Sequence, residues 1–598
     1  MILSTSFFKN IFFAVVCFVF LSISISNIPD TNSISILYGP PKNYNFGAFF
    51  SFCFVYFLIS KNIKSNLTTY SIAFVVVFSI LVGDSFYNFN SFKGINYGLK
   101  TFAIFIAKLL VLTYLLSALF SLIILKCRSK PKLIFRERVS FPKVLGLIFL
   151  CWSPFLLFFF PGSPTWDGLV MLNTGYGLWP PSDHHPFLLS LFFGVVVSLR
   201  DYYGDFLAFG ALNLILIFFQ LVNYSLSAFI LCKTYLQKRT YPWYFPPLYF
   251  GIVPIFPLYA QAIIKDGLYA SCFSLFCSSL FFLIFYAKNY INMKIWILIF
   301  YSSFLLCISR HNGFYVVAPT LLILFVYFLR NKSINFKPTV SLLILITAFI
   351  SYLHSYLYPS LNVTPSPSRE TYGIFGQMIG RVVFDNFELL RPNEKEKIQM
   401  IIPDFKRIPK EYNPELFDPV KHLISYDAST KDIISLSLNL CKRYPKSCLK
   451  GLINHTYLYF YPFGNNHVMA PFYYWIQGGH PNLNFFKLQY LFNDEIRGKF
   501  VKYSYYWVNN VPLSLICRPA LTSFLCLMIF LTAFIRRNLK LVIVAIPIFI
   551  SLCINLLSPV NGDFRYALPV ISCLPLLIIL LLTLISSPNP TIKSTHPI

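Results

Sequence analysis

The chain has 598 residues, of which 56% are apolar, 19% aromatic and only 12% charged. Soluble domains carry roughly 25% charged residues, so an ordinary soluble enzyme is excluded. The net charge of +27 does not mark a nucleic-acid binder either. The basic residues fall in short clusters between apolar runs, as retention of Lys and Arg in cytoplasmic loops produces, and they form no single face.

The apolar segments recur at the length a bilayer demands, about 20 residues each. In chain order, spans are expected near 8–27, 44–60, 68–83, 101–125, 143–160, 205–231, 243–262, 267–287, 293–309, 314–330, 338–357, 518–536, 539–558 and 567–587. The first is read as an uncleaved span, because Ile11–Ile25 is long and no convincing small-x-small cleavage site accompanies it. Lys126–Lys143 carries seven basic residues against the single acid Glu137, which places it in the cytoplasm. That orientation also puts Lys61/Lys64, Lys233/Lys238/Arg239, Lys288/Lys294, Arg330/Lys332/Lys337 and Arg536/Arg537/Lys540 inside. Both termini are then cytoplasmic. The apolar segment Phe187–Leu199 is about 13 residues long, too short for a span. Counting it as one would turn Lys233–Arg239 outward. It is expected to lie on or dip into the outer face, inside a long outer loop at 162–204.

The expected fold is an α-helical polytopic membrane protein of about 14 transmembrane helices. Its parts are an N-terminal four-span bundle (1–125), a core (143–357), an extracytoplasmic, mostly α insert (358–517) and a three-span C-terminal segment (518–598). The insert holds 13 of the 22 acidic residues and is long enough for a small domain. Its aromatic runs Tyr457–Phe463, Phe472–Trp475 and Tyr503–Trp507 suit anchoring in the headgroup layer, or a platform on which sugar or lipid stacks. As a binding module, carrying Glu370 and Arg381, it would govern acceptor choice. Of the fourteen cysteines, only Cys441 and Cys448 fall in the insert away from a span edge, where Cys517 lies. Their separation is too long for a disulfide along a straight helix, so pairing requires Pro445 to break the helix between them. No Cys/His spacing of metal-site type occurs.

Polar groups cluster at the outer ends of the spans. They are Pro164-Thr165-Trp166-Asp167-Gly168, Ser182-Asp183-His184-His185-Pro186, Lys265-Asp266, Arg310-His311-Asn312-Gly313 and Asn561-Gly562-Asp563-Phe564-Arg565-Tyr566. Each has a structural explanation as well. Arg310 and Arg565 would reach headgroups, Lys265 and Asp266 would pair at the interface, and Asp167 and the two histidines would cap the helices that follow. Five clusters on one side point beyond that, to a shared outer cavity.

An acid after an early span, then surface helices, then a His-Pro step resembles the GT-C superfamily of membrane glycosyltransferases. That group includes protein O-mannosyltransferases, oligosaccharyltransferases and lipid A aminoarabinose transferases. More closely, Ser182-Asp183-His184-His185-Pro186-Phe187, Lys265-Asp266, Arg310-His311-Asn312-Gly313, Tyr412-Asn413-Pro414 with Asp418-Pro419-Val420-Lys421, and Asp563-Phe564-Arg565-Tyr566 resemble an uncharacterised bacterial family of GT-C-like polytopic proteins. The resemblance runs from about residue 140 to 587 and leaves out the first four spans.

The resemblance implies transfer of a sugar from a polyprenyl-phosphate donor to a glycan, lipid or protein acceptor outside the bacterial cytoplasmic membrane. Asp167 would be the general base. Lys265, Arg310 and Arg565 would neutralise the leaving phosphate. His184 or His185 would add a donor or orient Asp167, while Asp266 and Asp563 would position the cations, beside His311 and Tyr566. Several GT-C enzymes carry two acids in the first outer loop, often adjacent; here Asp167 stands alone and Asp183 lies sixteen residues on. Without a close acid pair, no cofactor is expected and a divalent metal is doubtful. Two other classes share the polytopic plan. A flippase or transporter would show repeated halves and mid-membrane breaks, which the sequence lacks. A polysaccharide polymerase or ligase would share the large outer loop.

Overall fold

The computed structural model describes residues 67–95, a few positions between 105 and 117, and 139–236, 244–286, 291–366, 372–464 and 485–586. The expected spans at 8–27 and 44–60, most of 101–125, the basic loop up to Arg138, Lys238, Arg239, Lys288, Glu370 and Phe472–Trp475 lie outside these residues. Among the described residues, seven helices are long and apolar enough to cross a membrane, and eight if one bent pair counts as a single span. The chain is therefore α-helical and membrane-embedded in character.

Helix α1 is Leu67–Phe89 and α2 is Phe141–Phe158. The loop at 159–204 follows. A short strand, β1 (Ser163–Pro164), leads into α3 (Trp166–Tyr176), whose start is capped by the Thr165 side chain and whose end is the left-handed Gly177. Next comes α4 (Phe187–Val197). At 11 residues it is about 16 Å long by the α-helical rise, half the hydrocarbon thickness, so it lies against α3 and spans nothing. Helix α5 (Arg200–Leu231) bends at Gly204.

The expected span at 243–262 is not one helix. It is α6 (Phe245–Ile252), then α7 (Ile255–Ala260), with a break at Val253-Pro254. Proline lacks the N–H that a continuous helix needs and drives the residue before it to extended backbone. The chain then enters β2 (Ala262–Ile263), which pairs in parallel with β1.

Helix α8 (Lys265–Phe285) is the hub: every residue of it is buried except Phe282 and Phe285. It packs on α5 along a polar seam. Asn223 donates to Ser271 at 3.2 Å, and the Ser227 hydroxyl meets those of Ser274 and Ser278 at 2.9 and 2.7 Å. Small hydroxyl residues let two helices approach closely and satisfy one another in lipid. Around the hub stand α9 (Met293–Ser309), α10 (Asn312–Arg330) and α11 (Phe336–Tyr352). Helix α11 presents Ile344 and Leu345 outward, as a lipid-facing helix does.

The insert folds round a second apolar core that includes Ile379, Val382, Ile398, Phe405 and Phe417. Its principal helices are α12 (Gly373–Asn386), α13 (Pro392–Ile401), α14 (Thr430–Arg443) and α15 (Pro445–Asn454). Tyr444 breaks α14 from α15 just ahead of Pro445, and Cys441 and Cys448 are joined by a disulfide across that corner with their Cα atoms 5.4 Å apart. The stretch 485–517 does not share this core. Phe486, Val501, Trp507 and Val508 belong to the main core, and α16 (Asp494–Asn509) lays Phe500 against Phe155. Helix α17 (Val511–Cys517) leads to the closing set: α18 (Pro519–Ile535), α19 (Leu539–Leu556), and α20 (Phe564–Ser572) bent by 45° from α21 (Leu574–Ser586).

Candidate functional site

The β1–β2 pairing sets the site. Its register, Ser163 opposite Ala262 and Pro164 opposite Ile263, delivers the chain to Asp167 on one side and to Lys265-Asp266 on the other. The pair is tied by Ser163, whose hydroxyl donates to Gln261 Oε1 at 2.7 Å and meets the Tyr490 hydroxyl at 2.8 Å. Gly168 makes the approach possible, since a Cβ there would fall 1.9 Å from the Ile263 carbonyl oxygen. Only a residue without a side chain fits so close to another backbone.

Asp167 Oδ2 lies 2.8 Å from Arg565 Nη1, 3.7 Å from Lys265 Nζ and 3.9 Å from His185 Nε2. Lys265 Nζ donates to His185 Nδ1 at 2.5 Å. Asp266, with its side chain 0% exposed, reaches Arg310 Nη1 at 3.1 Å and Arg565 Nε at 3.6 Å. Arg565 therefore bridges both carboxylates, and it donates to the Tyr566 hydroxyl at 2.9 Å. The Tyr566 ring lies beneath both guanidiniums, 5.1 Å from Arg310 and 4.8 Å from Arg565. Asp563 stands at the start of α20, where its carboxylate accepts from the Arg565 N–H at 2.9 Å.

Asp183 belongs to a neighbouring group. Its Oδ1 accepts from Phe187 N–H and starts α4, and its Oδ2 faces His311 and His354, each at 3.9 Å. His311 Nε2 also meets the Asp183 carbonyl at 2.9 Å. His184 is exposed, and its ring lies 4.6 Å from that of His185 at a 45° tilt. The sixteen-residue gap between Asp167 and Asp183 thus separates two roles: one carboxylate faces cations, the other faces imidazoles. His354, in the turn just past the C-terminal end of α11, had no signal in the sequence beyond being a histidine. Arg381 pairs with Asp385 at 3.1 Å inside the insert, and Asp418 pairs with Lys421 at 2.7 Å.

Burial pushes the Asp167 carboxyl up, but the cations facing it, Arg565 first and Lys265 with it, outweigh burial and hold it well below the usual carboxylate range. Burial, aided by Lys265, draws His185 well down, so the ring is neutral at pH 7 and accepts from Lys265. Burial also raises Asp183 and Asp563 and lowers His311. The ends meeting here are the N-termini of α3, α8, α10 and α20. Helix N-termini carry partial positive charge and unpaired N–H groups. Three cations and the carboxylates of Asp167, Asp266 and Asp563 thus gather at four such ends.

Residues 176–593 match the family of unknown function DUF6020. The chain belongs to that family. No curated protein and no solved structure matches it. The family match takes in Lys265, Asp266, Arg310, Asp563, Arg565 and the whole insert, and it begins nine residues after Asp167.

Proposed function

We propose that this DUF6020 protein is a GT-C-like glycosyltransferase that moves a sugar from a polyprenyl-phosphate donor to an acceptor on the outer face of a bacterial cytoplasmic membrane. The observation that carries the reading is the single carboxylate Asp167 held among Arg565, Lys265 and His185 at the ends of apolar helices. A lipid-borne phosphate would arrive at that level from the bilayer, and Arg565, Arg310 and Lys265 would receive it.

In the proposed step, the acceptor hydroxyl oxygen attacks the anomeric carbon and its proton passes to Asp167. The bond from the anomeric carbon to the phosphate oxygen breaks, and its electron pair leaves with the phosphate. An Asp167 gripped by cations is a weak base at rest. A donor phosphate would compete for Arg565 and Lys265, and each contact it takes raises the proton affinity of Asp167. Donor binding would thereby prepare the base for the acceptor.

The wider arrangement belongs to the same proposal: about 14 spans, cytoplasmic termini and an extracytoplasmic insert. The basic loops argue for that orientation, and the Cys441–Cys448 disulfide suits an oxidising compartment.

The test compares membranes bearing Asp167→Asn with the parent for consumption of labelled polyprenyl-phosphate sugars. Loss of about 10²–10⁴-fold is expected on removal of a general base. Equal consumption by both, or none by the parent with any sugar offered, ends the transferase reading.

A further inference from the structure

The residues that carry Arg565 to Asp167 are themselves held by the insert. From the end of α19 a strap at 557–562 leads to Asp563 and α20. This strap runs between two pieces of the 358–517 stretch: 415–417, where Phe417 joins the insert's own core, and 457–459, which pack on α1 and the main core. On one side, Phe417 N–H donates to the Pro559 carbonyl and Asn561 N–H donates to the Glu415 carbonyl, both at 2.9 Å, around an antiparallel bridge of Leu416 with Val560. On the other, Leu458 N–H donates to Asn561 Oδ1 at 3.1 Å, and the Tyr459 hydroxyl meets Ser558 Oγ at 2.9 Å. The two pieces are tied to each other where the Tyr457 hydroxyl donates to the Glu415 carboxylate. Gly562 turns the strap at φ +62°, with Leu458 so close that a Cβ would fall 2.3 Å from its own Cβ.

The body of α20 is placed by the bundle, with Phe564, Ala567 and Leu568 in the main core and Ser572 donating to the Ala270 carbonyl, so what the strap holds is the turn that leads into it, where Asp563 caps the helix and Arg565 departs. Arginine, with its long chain, loses considerable rotamer freedom when seated, so its backbone must be placed first.

We infer that the insert is a positioning device for Arg565 and acts through Asn561, a fully buried residue that bonds to both pieces at once. Asn561 is a positioning residue: its side chain acts through the strap on Arg565. The inference rests on the transferase reading for its catalytic consequence alone; the seating of Arg565 beside residue 167 is independent of any chemistry.

The experiment uses the full chain in detergent and reads that seating directly. In an Asp167→Cys variant, the thiol lies beside a guanidinium and an ammonium, which depress thiol pKa values. Its alkylation by iodoacetamide, followed across pH on the peptide containing position 167, is expected to have a midpoint below the ordinary thiol value of about 8.5. Adding Arg565→Gln should raise the midpoint by about one pH unit or more. Adding Asn561→Ala instead should raise it by a comparable amount. Tyr459→Phe, which removes one hydroxyl and needs no repacking, should raise it by less, and it carries the test if Asn561→Ala does not fold. Limited proteolysis of the insert with the pattern of the parent reports that the insert is folded.

The inference is overturned if the Asp167→Cys midpoint is not depressed, or if neither Asn561→Ala nor Tyr459→Phe moves it. Donor consumption is measured separately on the chain with native Asp167. A midpoint shift without donor consumption by the parent removes the transferase reading and leaves the positioning role standing. Donor consumption with an unmoved midpoint does the reverse.

Discussion

At the residue scale, the polar groups at the ends of the spans were legible one by one because charge is rare in this chain and therefore conspicuous. Their pairing was not. Asp167 and Arg565 are close in space but about four hundred residues apart, and nothing local announces that Arg565 bridges Asp167 and Asp266. His455 is a second case, and one with a testable consequence. It is 1% exposed, and burial draws its imidazole from 6.5 down to about 4. The unfolded chain accepts a proton near pH 6.5 that the folded insert refuses, so this stability is complete above pH 6.5 and is lost as the pH falls toward 4. The loss attributable to His455 is about 3 kcal/mol. Buried His185 and half-exposed His311 act with the same sign, while raised Asp183 and Asp563 act with the opposite one. Comparison of variants separates them: thermal midpoints of His455→Gln should fall less than those of the parent between pH 6.5 and 4. Parallel curves would refute the assignment.

At the element scale, two small features have disproportionate reach. The first is the contact of Gly168 with β2. A methyl group there meets the Ile263 carbonyl oxygen and pushes the start of α3, and Asp167 with it, away from Lys265. Gly168→Ala should therefore abolish donor consumption about as fully as Asp167→Asn does. Gly146→Ala, on α2 with nothing within 4 Å of the added methyl, should leave it intact. Equal activity in both alanine variants would show that the two-strand pairing does not position the acid. The second feature is the corner between α14 and α15. Spacing alone left the cysteine pair undecided, because seven residues along one straight helix cannot bond; the break at Tyr444-Pro445 folds them together. Closing so short a loop is worth about 2 kcal/mol. Reductant should lower the unfolding midpoint of the parent and leave that of a Cys448→Ser variant unchanged.

At the scale of the whole molecule, the arrangement turns on the short helix α4. The proposed placement of α4 on the outer surface would gather Asp167, Asp183, His184 and His185 into one loop on the same side of the membrane as the insert. Reporter fusions after Gly204 and after Lys238 test this directly. The first should report the extracytoplasmic side and the second the cytoplasm; a cytoplasmic signal at Gly204 would dismantle the surface placement and the shared outer site with it. The same scale shows where span counting misleads. An apolar run at 243–262 has the composition of a membrane helix, yet its prolines divide it into α6 and α7 and so free β2 to pair with β1.

By itself the sequence determined the membrane character of the chain, the approximate places of its long apolar helices and the residue types available at their ends. Those follow from composition and from segment length, which are local properties. Only the tertiary structure decided which charges meet, that Asp183 faces His311 and His354 while Asp167 faces Arg565 and Lys265, and that 485–517 packs on the main body and outside the core of the insert. Contacts between segments hundreds of residues apart depend on how the helices pack around α8, and helix packing is a property of the assembled surfaces that no single segment carries.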